Sequence, residues 1–139
     1  MFKNILVGVD GSDYAFKAAQ VAGEMARCTQ ADLVVVSCFE PVPAYLGEPN
    51  LQQAITEHIS QAESVLETAL ERIGEIPGQI HKEVIEGSPA DTIISVAGVR
   101  SIDLIIMGTR GLGRISRALL GSQSQKVVSQ AGCPVMLVR

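Results

Sequence analysis

The chain has 139 residues, of which 47 % are hydrophobic and 19 % charged, and its formal net charge is −4 at pH 7. This balance indicates one globular domain over residues 1–139, and it argues against a disordered chain and against the basic surface of a general nucleic-acid-binding protein. No apolar run reaches the roughly 18 residues that indicate a membrane span, and no signal peptide is recognisable, so we expect no membrane insertion.

The first part of the chain reads as strand, helix, strand. Residues 5–9 form a β-branched run that indicates a strand, and Asp10-Gly11-Ser12-Asp13 ends it. Ser12 or Asp13 is expected to cap the helix that follows. The apolar face of that helix consists of Ala15, Ala18, Ala19, Ala22, Met25 and Ala26. Residues 33–38 are continuously apolar, which predicts a second strand covered on both faces.

A loop and a long helix come next. Residues 40–50 contain three prolines and a glycine, which predicts a long loop, and residues 51–73 form the clearest amphipathic helix. Its apolar stripe consists of Leu51, Ile55, Ile59, Ala62, Leu66, Ala69, Leu70 and Ile73. Alternation over 79–85 predicts a half-covered edge strand.

A third helix is predicted to start at Gly87-Ser88-Pro89, with Ser88 as its cap and Pro89 at its first position. Its expected apolar face is Ile93, Ile94, Ala97 and Val99. A fourth strand over 103–107, a glycine-rich stretch over 108–113 and a fifth strand over 135–138 complete the pattern.

A last helical pattern lies between those strands, over residues 114–130, and Gly121 either breaks it or starts it. Its apolar residues are Ile115, Ala118, Leu119, Val127, Val128 and Ala131. The regular alternation of strands and helices predicts an α/β fold, a single open parallel sheet of five strands with helices on both faces.

The residue types that most often hold metals are few and scattered. Cys28, Cys38 and Cys133 lack C-x-x-C spacing, so we interpret them as small buried hydrophobes in a reducing compartment, which predicts a cytoplasmic protein. His58 and His81 have no carboxylate or cysteine at ligand spacing and are expected to be structural.

The glycine-rich stretch follows a strand and precedes a helix, which is a usual place for phosphate. Two known templates fail there. A Walker A loop, G-x-x-x-x-G-K-S/T, fails because Arg114 stands where lysine is needed, and a G-x-G-x-x-G fingerprint fails because Ser116 stands where the last glycine is needed. The pattern that fits is Gly108-x2-Gly111-x9-Gly121-Ser122.

This split pattern resembles the nucleotide-binding signature of the universal stress protein family, in its ATP-binding branch. The resemblance covers nearly the whole chain, including residues 2–12, 103–111 and 133–138. It implies the strand order 3-2-1-4-5 in a Rossmann-like sheet of the adenine nucleotide α-hydrolase type. In such a sheet, ligands bind where the strand order switches direction, here between strands one and four.

Two short motifs then converge on one crevice, Asp10-Gly11-Ser12 and Gly108-Thr109-Arg110-Gly111. Backbone N–H groups and the hydroxyl at Gly121-Ser122 suit phosphates, and Ser124 can add a second hydroxyl. Gly108 and Gly111 can leave room for ribose and the α-phosphate. The predicted nucleotide-binding residues are Val9, Asp10, Gly11, Ser12, Cys38, Met107, Gly108, Arg110, Gly111, Gly113, Gly121, Ser122, Gln123 and Ser124. None is assigned a catalytic role.

Asp10 is an unusual neighbour for phosphate. It makes sense beside a bridging Mg²⁺ or a ribose hydroxyl, and its alternative role is that of a turn residue. The resemblance favours the magnesium-bridged role. It also implies that adenine lies at the end of strand two, bonded by backbone groups near Cys38, with Val9 nearby.

Three functions compete. The first is a regulatory protein that binds ATP, or AMP or ADP, with magnesium and signals through its bound state in a stress response. The second is a slow ATPase or phosphotransferase, which the missing P-loop lysine disfavours. The third is a flavodoxin-like FMN carrier, which the 4 % aromatic content disfavours.

The end of the chain predicts a partner. Residues 134–138 are apolar and form an outer strand if strand five lies beside strand four, and such an edge is a template for another strand. The family resemblance also implies pairing through this strand. We therefore expect a homodimer or a dimer of dimers.

Overall fold

The computed structural model describes residues 1–110 and 120–139 of the chain. Its strands are β1 (Asn4–Val9), β2 (Asp32–Phe39), β3 (Ile80–Glu86), β4 (Leu104–Gly108) and β5 (Val135–Val138). Its helices are α1 (Asp13–Thr29), α2 (Asn50–Ile73), α3 (Pro89–Val99) and α4 (Ser122–Gln130). A short 3-10 helix, Ala44–Leu46, lies within the predicted loop.

The five strands form one parallel sheet in the order β3-β2-β1-β4-β5, as expected. The central strands are rich in valine, isoleucine and leucine because both of their faces are covered. One face packs against α1 and α2, where the alanine face of α1 is fully buried. The other packs against α3 and α4 through Ile93, Val96 and Val127.

The helix faces differ from prediction at some ends. Val99 is 83 % exposed and Val128 is 49 % exposed, so neither belongs to the core, and Val96 takes the place predicted for Val99. Both exposed valines lie on the side of their helix that faces away from the sheet, since Val127, directly before Val128, is fully buried and Ala97, two residues before Val99, packs against the core. The predicted helix over 114–119 lies outside the described residues, whereas α4 starts directly after Gly121.

The cysteines also differ from prediction. Cys28 is exposed, because it lies off the alanine face of α1, while Cys38 and Cys133 are only partly buried. Their interpretation as buried hydrophobes is therefore wrong for Cys28. Within residues 1–110 and 120–139, no helix combines the length and the apolar character needed to cross a membrane.

The two edges of the sheet carry different side chains. β3 is an edge strand, as predicted, and its Lys82 and Glu86 are exposed. Glu83 on the same strand pairs with Arg100. The opposite edge is β5, whose residues Val135–Val138 are apolar and half-buried.

Candidate functional site

A cleft opens at the carboxyl ends of β1, β2 and β4, the place expected for a ligand in a sheet of this order. We call it the strand-end cleft, and its volume is about 240 Å³. Its lining consists of Gly8, Val9, Asp10, Ala15, Val36, Cys38, Glu40, Pro89, Ile93, Met107, Gly108, Arg110, Gly121, Ser122, Gln123 and Ser124.

Most of the predicted site residues therefore meet in one place. Gly11 and Ser12 form the adjacent turn and are not among the lining residues, and Gly111 and Gly113 lie outside the described part of the chain. Sequence reasoning missed Gly8, Ala15, Val36, Glu40, Pro89 and Ile93. Pro89 could have been predicted from the sequence, because the predicted strand order places the start of α3 at this same edge of the sheet.

The turn after β1 is held together by its own side chains. Gly11 has φ +88°, a conformation that favours glycine. Asp10 Oδ1 accepts hydrogen bonds from the Ser12 backbone N–H at 2.9 Å and from the Ser12 hydroxyl at 2.6 Å. Ser12 Oγ in turn accepts the Ala15 N–H at 3.2 Å and so caps α1, as predicted. One carboxylate oxygen of Asp10 thus orders the turn, whatever else the carboxylate binds.

The start of α4 forms the opposite wall of the cleft. Gly121 occupies the N-cap position, and no side chain caps the helix there. Its N–H donates to the Thr109 carbonyl at 2.8 Å, and the buried Ser124 hydroxyl donates to the same carbonyl at 2.8 Å. These bonds fasten the helix start to the end of β4. An uncapped helix start at a cleft leaves backbone N–H groups and the positive end of the helix dipole for an anion.

The helices α1, α2 and α3 also start beyond the carboxyl ends of strands, and α2, like α4, has no side-chain cap. α1 is capped by its own Ser12. α3 has Ser88 at the N-cap position, but the predicted cap bond is not made, and the Ser88 hydroxyl donates to Asp91 at 2.9 Å. Instead the Ala90 N–H donates to Gln123 Oε1 at 2.9 Å.

Charge in the strand-end cleft is mixed. Asp10 and Glu40 supply carboxylates, and Arg110 supplies a guanidinium whose central carbon lies 6.0 Å from the Tyr14 ring centroid. Burial raises the pKa of the Cys38 thiol, and a hydrogen bond with Thr92 opposes that shift. Cys38 is therefore a neutral thiol at physiological pH, which suits it to apolar packing rather than to nucleophilic chemistry.

The structure gives a packing reason for glycine at position 108 that the sequence did not suggest. A Cβ at this position would lie 2.8 Å from Tyr14 Cβ and 2.9 Å from the Tyr14 carbonyl carbon. The glycine lets the start of α1 approach β4, so the room it leaves is used by the protein itself. The predicted role in making room for ribose is thus not needed to explain this glycine.

A Gly108→Ala substitution is expected to lower the free energy of unfolding by about 1–3 kcal/mol, because the new methyl group would overlap backbone atoms. Urea denaturation measures this. Gly98→Ala is the matched control: a Cβ there meets no atom within 4 Å, so it is expected to be neutral or to stabilise α3 by up to about 1 kcal/mol. Equal stability of Gly108→Ala and the wild type would contradict the packing role.

A second and wider cleft, of about 680 Å³, adjoins the first and runs along α2. The two clefts share Asp10, Cys38, Glu40 and Pro89. His58 lines the second cleft, and its Nδ1 lies 3.0 Å from the Glu40 carbonyl oxygen, which joins α2 to the end of β2. Among the described residues, no three His, Cys, Asp or Glu side chains cluster as metal ligands would.

Comparison with known proteins gives a consistent result. The family model described as the universal stress protein family matches residues 1–139. A Thermus aquaticus universal stress protein, in the QAH/OAS sulfhydrylase 3′ region, is 48 % identical over 139 residues and covers 100 % of both chains. The universal stress protein UspA from Lactobacillus plantarum superposes with a TM-score of 0.86 at 28 % identity, covering 99 % of this chain and 98 % of that one.

Two structures of similar fold contain nucleotides. One is a universal stress protein in complex with cAMP, with a TM-score of 0.77, 24 % identity, and coverage of 99 % of this chain and 97 % of that one. The other is a universal stress protein family protein from Arabidopsis thaliana with AMP bound, with a TM-score of 0.69, 19 % identity, and coverage of 98 % and 90 %.

Proposed function

This chain belongs to the universal stress protein family, and from that premise we propose that it binds an adenine nucleotide in the strand-end cleft and acts as a regulatory protein. The protein signals through the nucleotide that occupies the cleft. The phosphates lie at the start of α4, and adenine lies at the end of β2 beside Cys38 and Val36.

One observation carries this proposal: the uncapped start of α4 faces the same cleft as the end of β2. An anion-binding helix end and an apolar wall at opposite ends of a cleft suit a molecule with a phosphate at one end and a planar base at the other. The cAMP and AMP found in proteins of similar fold support this assignment.

ATP with magnesium is the form of the ligand that best explains Asp10. Mg²⁺ is usually held by one or two carboxylates together with substrate phosphates and water, and a carboxylate beside a phosphate site fits that pattern. Asp10 lines the cleft, and its Oδ1 is oriented by Ser12. When bound, the ion would screen phosphate charge from this carboxylate.

An Asp10→Asn substitution separates the two roles of this side chain. The amide keeps an oxygen that can accept from Ser12, so the turn is retained, but the charge that attracts Mg²⁺ is lost. In a buffer that contains magnesium, we expect the affinity for ATP to fall about tenfold, a loss of ~1.4 kcal/mol. In a buffer that contains EDTA, the affinity for ATP should change little. Calorimetry in both buffers measures this. Unchanged affinity in magnesium would remove the metal role, and Asp10→Ala would then report on the turn alone.

The proposal itself is tested with the wild-type protein. Mass spectrometry identifies any nucleotide that co-purifies, and calorimetry then compares ATP, ADP, AMP and FMN. We expect adenine nucleotides to bind and FMN to fail, since the described lining of the strand-end cleft contains no aromatic ring to stack on a flavin. Hydrolysis is expected well below the roughly 10 s⁻¹ typical of enzymes. FMN binding, or no binding of any adenine nucleotide, would refute the assignment.

A further inference from the structure

The starts of α3 and α4 are linked by one side chain. Gln123, in the first turn of α4, accepts a hydrogen bond from the backbone N–H of Ala90, in the first turn of α3, at 2.9 Å. α3 needs this acceptor. The side chain of its own N-cap residue, Ser88, makes no cap hydrogen bond, so Gln123 is the acceptor for the Ala90 N–H.

This link joins two parts of the strand-end cleft. Ser122 and Ser124, on either side of Gln123, line the cleft at its anion-binding end. Pro89, directly before Ala90, lines it near Cys38 and also lines the α2 cleft, as we call the second cleft. The bond between Gln123 and Ala90 therefore fixes the separation between the phosphate end of the cleft and its opposite wall.

We propose that Gln123 is a positioning residue that sets the width of the nucleotide cleft by capping α3, and that its side chain does not bind the phosphates. This inference rests on the proposed function. The competing role is a direct phosphate contact through the Gln123 side chain. Such a contact would have to be donated by Nε2, because Oε1 is an acceptor like the phosphate oxygens. The bond that the structure shows runs from the Ala90 N–H to Oε1, and it carries the positioning role.

A second contact between the same helices serves as a natural control. Lys126 Nζ lies 2.6 Å from Asp91 Oδ1, and the two side chains are 41 % and 65 % exposed. Lys126, and then the Ser88 hydroxyl, hold the pKa of Asp91 below its usual value. Exposed ion pairs contribute little to stability, so this contact is expected to matter far less for the cleft than the Gln123 bond.

The two roles differ in what they predict for adenosine, which has no phosphate. A direct phosphate contact affects AMP and ATP but leaves adenosine unchanged. A positioning residue affects all three, because the displaced wall contacts the nucleoside. The test uses Gln123→Met, which keeps the length of the side chain and removes the acceptor, Gln123→Glu, which keeps an acceptor oxygen, and Lys126→Met as the control.

We expect Gln123→Met to bind adenosine, AMP and ATP each about tenfold more weakly, since an unsatisfied amide drives α3 away from its present position. Gln123→Glu should restore adenosine binding to within about twofold, because a carboxylate at a helix start is a good acceptor. Lys126→Met should stay within about twofold for all three ligands. Circular dichroism must show the wild-type helix content in each variant.

The amide of Ala90 gives a readout that needs no ligand. In ¹⁵N-labelled protein, its proton resonance should shift and its hydrogen exchange should accelerate in Gln123→Met but not in Gln123→Glu. If adenosine binds Gln123→Met as tightly as the wild type, while ATP binds more weakly, the side chain contacts phosphate and the positioning role is wrong. Wild-type protein that binds none of the three ligands would refute the proposed function instead, even with the Ala90 resonance shifted as expected.

Discussion

A Gly121→Val variant is expected to keep its fold and to lose nucleotide binding. Gly121 has φ −62° and ψ 152°, an extended conformation that any residue can adopt. A Cβ there would lie 3.4 Å from Arg110 Cα, from Ser124 Oγ and from the Thr109 carbonyl oxygen, which is ordinary van der Waals contact. The backbone therefore does not demand glycine, although the sequence pattern suggested that it does.

The two further methyl groups of valine have a different effect. They would stand beside Arg110 and Ser124, both of which line a cleft of only about 240 Å³. We expect affinity for ATP and AMP to fall at least about a hundredfold, or ~2.8 kcal/mol. Calorimetry measures this loss, and the thermal unfolding curve shows that the fold is kept.

Gly121→Ala is the matched control for this experiment. Its single methyl group fits without displacing a neighbour, so binding should remain within about threefold of the wild type, or ~0.6 kcal/mol. Normal binding by Gly121→Val would show that the phosphates lie away from the start of α4. Equal loss in both variants would show that the backbone there, and not the space, is what the ligand needs.

A Leu137→Pro variant is expected to be monomeric. We propose that two copies pair through β5, each presenting its free edge to the other. The Pro134 carbonyl accepts the N–H of Ile105 in β4, and the Val138 carbonyl accepts the N–H of Thr109, directly after β4. Since alternate residues of a strand face opposite neighbours, Leu137 turns its N–H away from β4, toward a partner. Proline removes that donor and is tolerated on an edge strand whose N–H faces outward.

Leu137→Ala keeps the N–H while removing most of the same side chain, so it should still dimerise. Sedimentation or light scattering at tens of micromolar distinguishes the two states. Met136 and Val138 pack against the core on the α1 face, and Leu137 packs in part against the core on the other face. A charge at any of them would test folding as well as association, whereas Leu137→Pro and Leu137→Ala both remove the leucine side chain and differ in the backbone N–H. A wild-type protein that is monomeric at these concentrations would refute the proposed dimer. A dimeric Leu137→Pro variant would show that the two copies associate through a surface other than β5.

Periodicity predicted the elements well, because burial against a sheet imposes strong spacing on side chains. The alanine face of α1 and the apolar runs of β1, β2 and β4 lie where the sequence places them. The same spacing could have identified Cys28 as exposed, since it falls outside that alanine face. The strand order, by contrast, came from family resemblance, and the structure confirms it.

Contacts between distant segments account for two features that the sequence did not predict, the packing at Gly108 and the capping of α3. Gly108 matches a phosphate motif, yet the atoms nearest its missing Cβ belong to Tyr14, more than 90 residues earlier. Ser88 has the residue type of a cap but makes no cap hydrogen bond, and Gln123 from another helix accepts the Ala90 N–H instead. Sequence patterns within one segment could not predict these contacts, because the contacting residues come from distant segments that meet only when the helices pack on the sheet.

The charged edge at β3 decides how far association can proceed. A sheet with two open edges would add copies without limit and grow into a fibre. Here Lys82 and Glu86 project from one edge, and the pair of Glu83 with Arg100 occupies it further. Among the described strands, β5 forms the other edge, and we propose that this edge recruits a neighbour. In the proposed dimer, two copies joined there would form a single ten-stranded sheet with a charged strand at each end, and growth along the sheet would end at two.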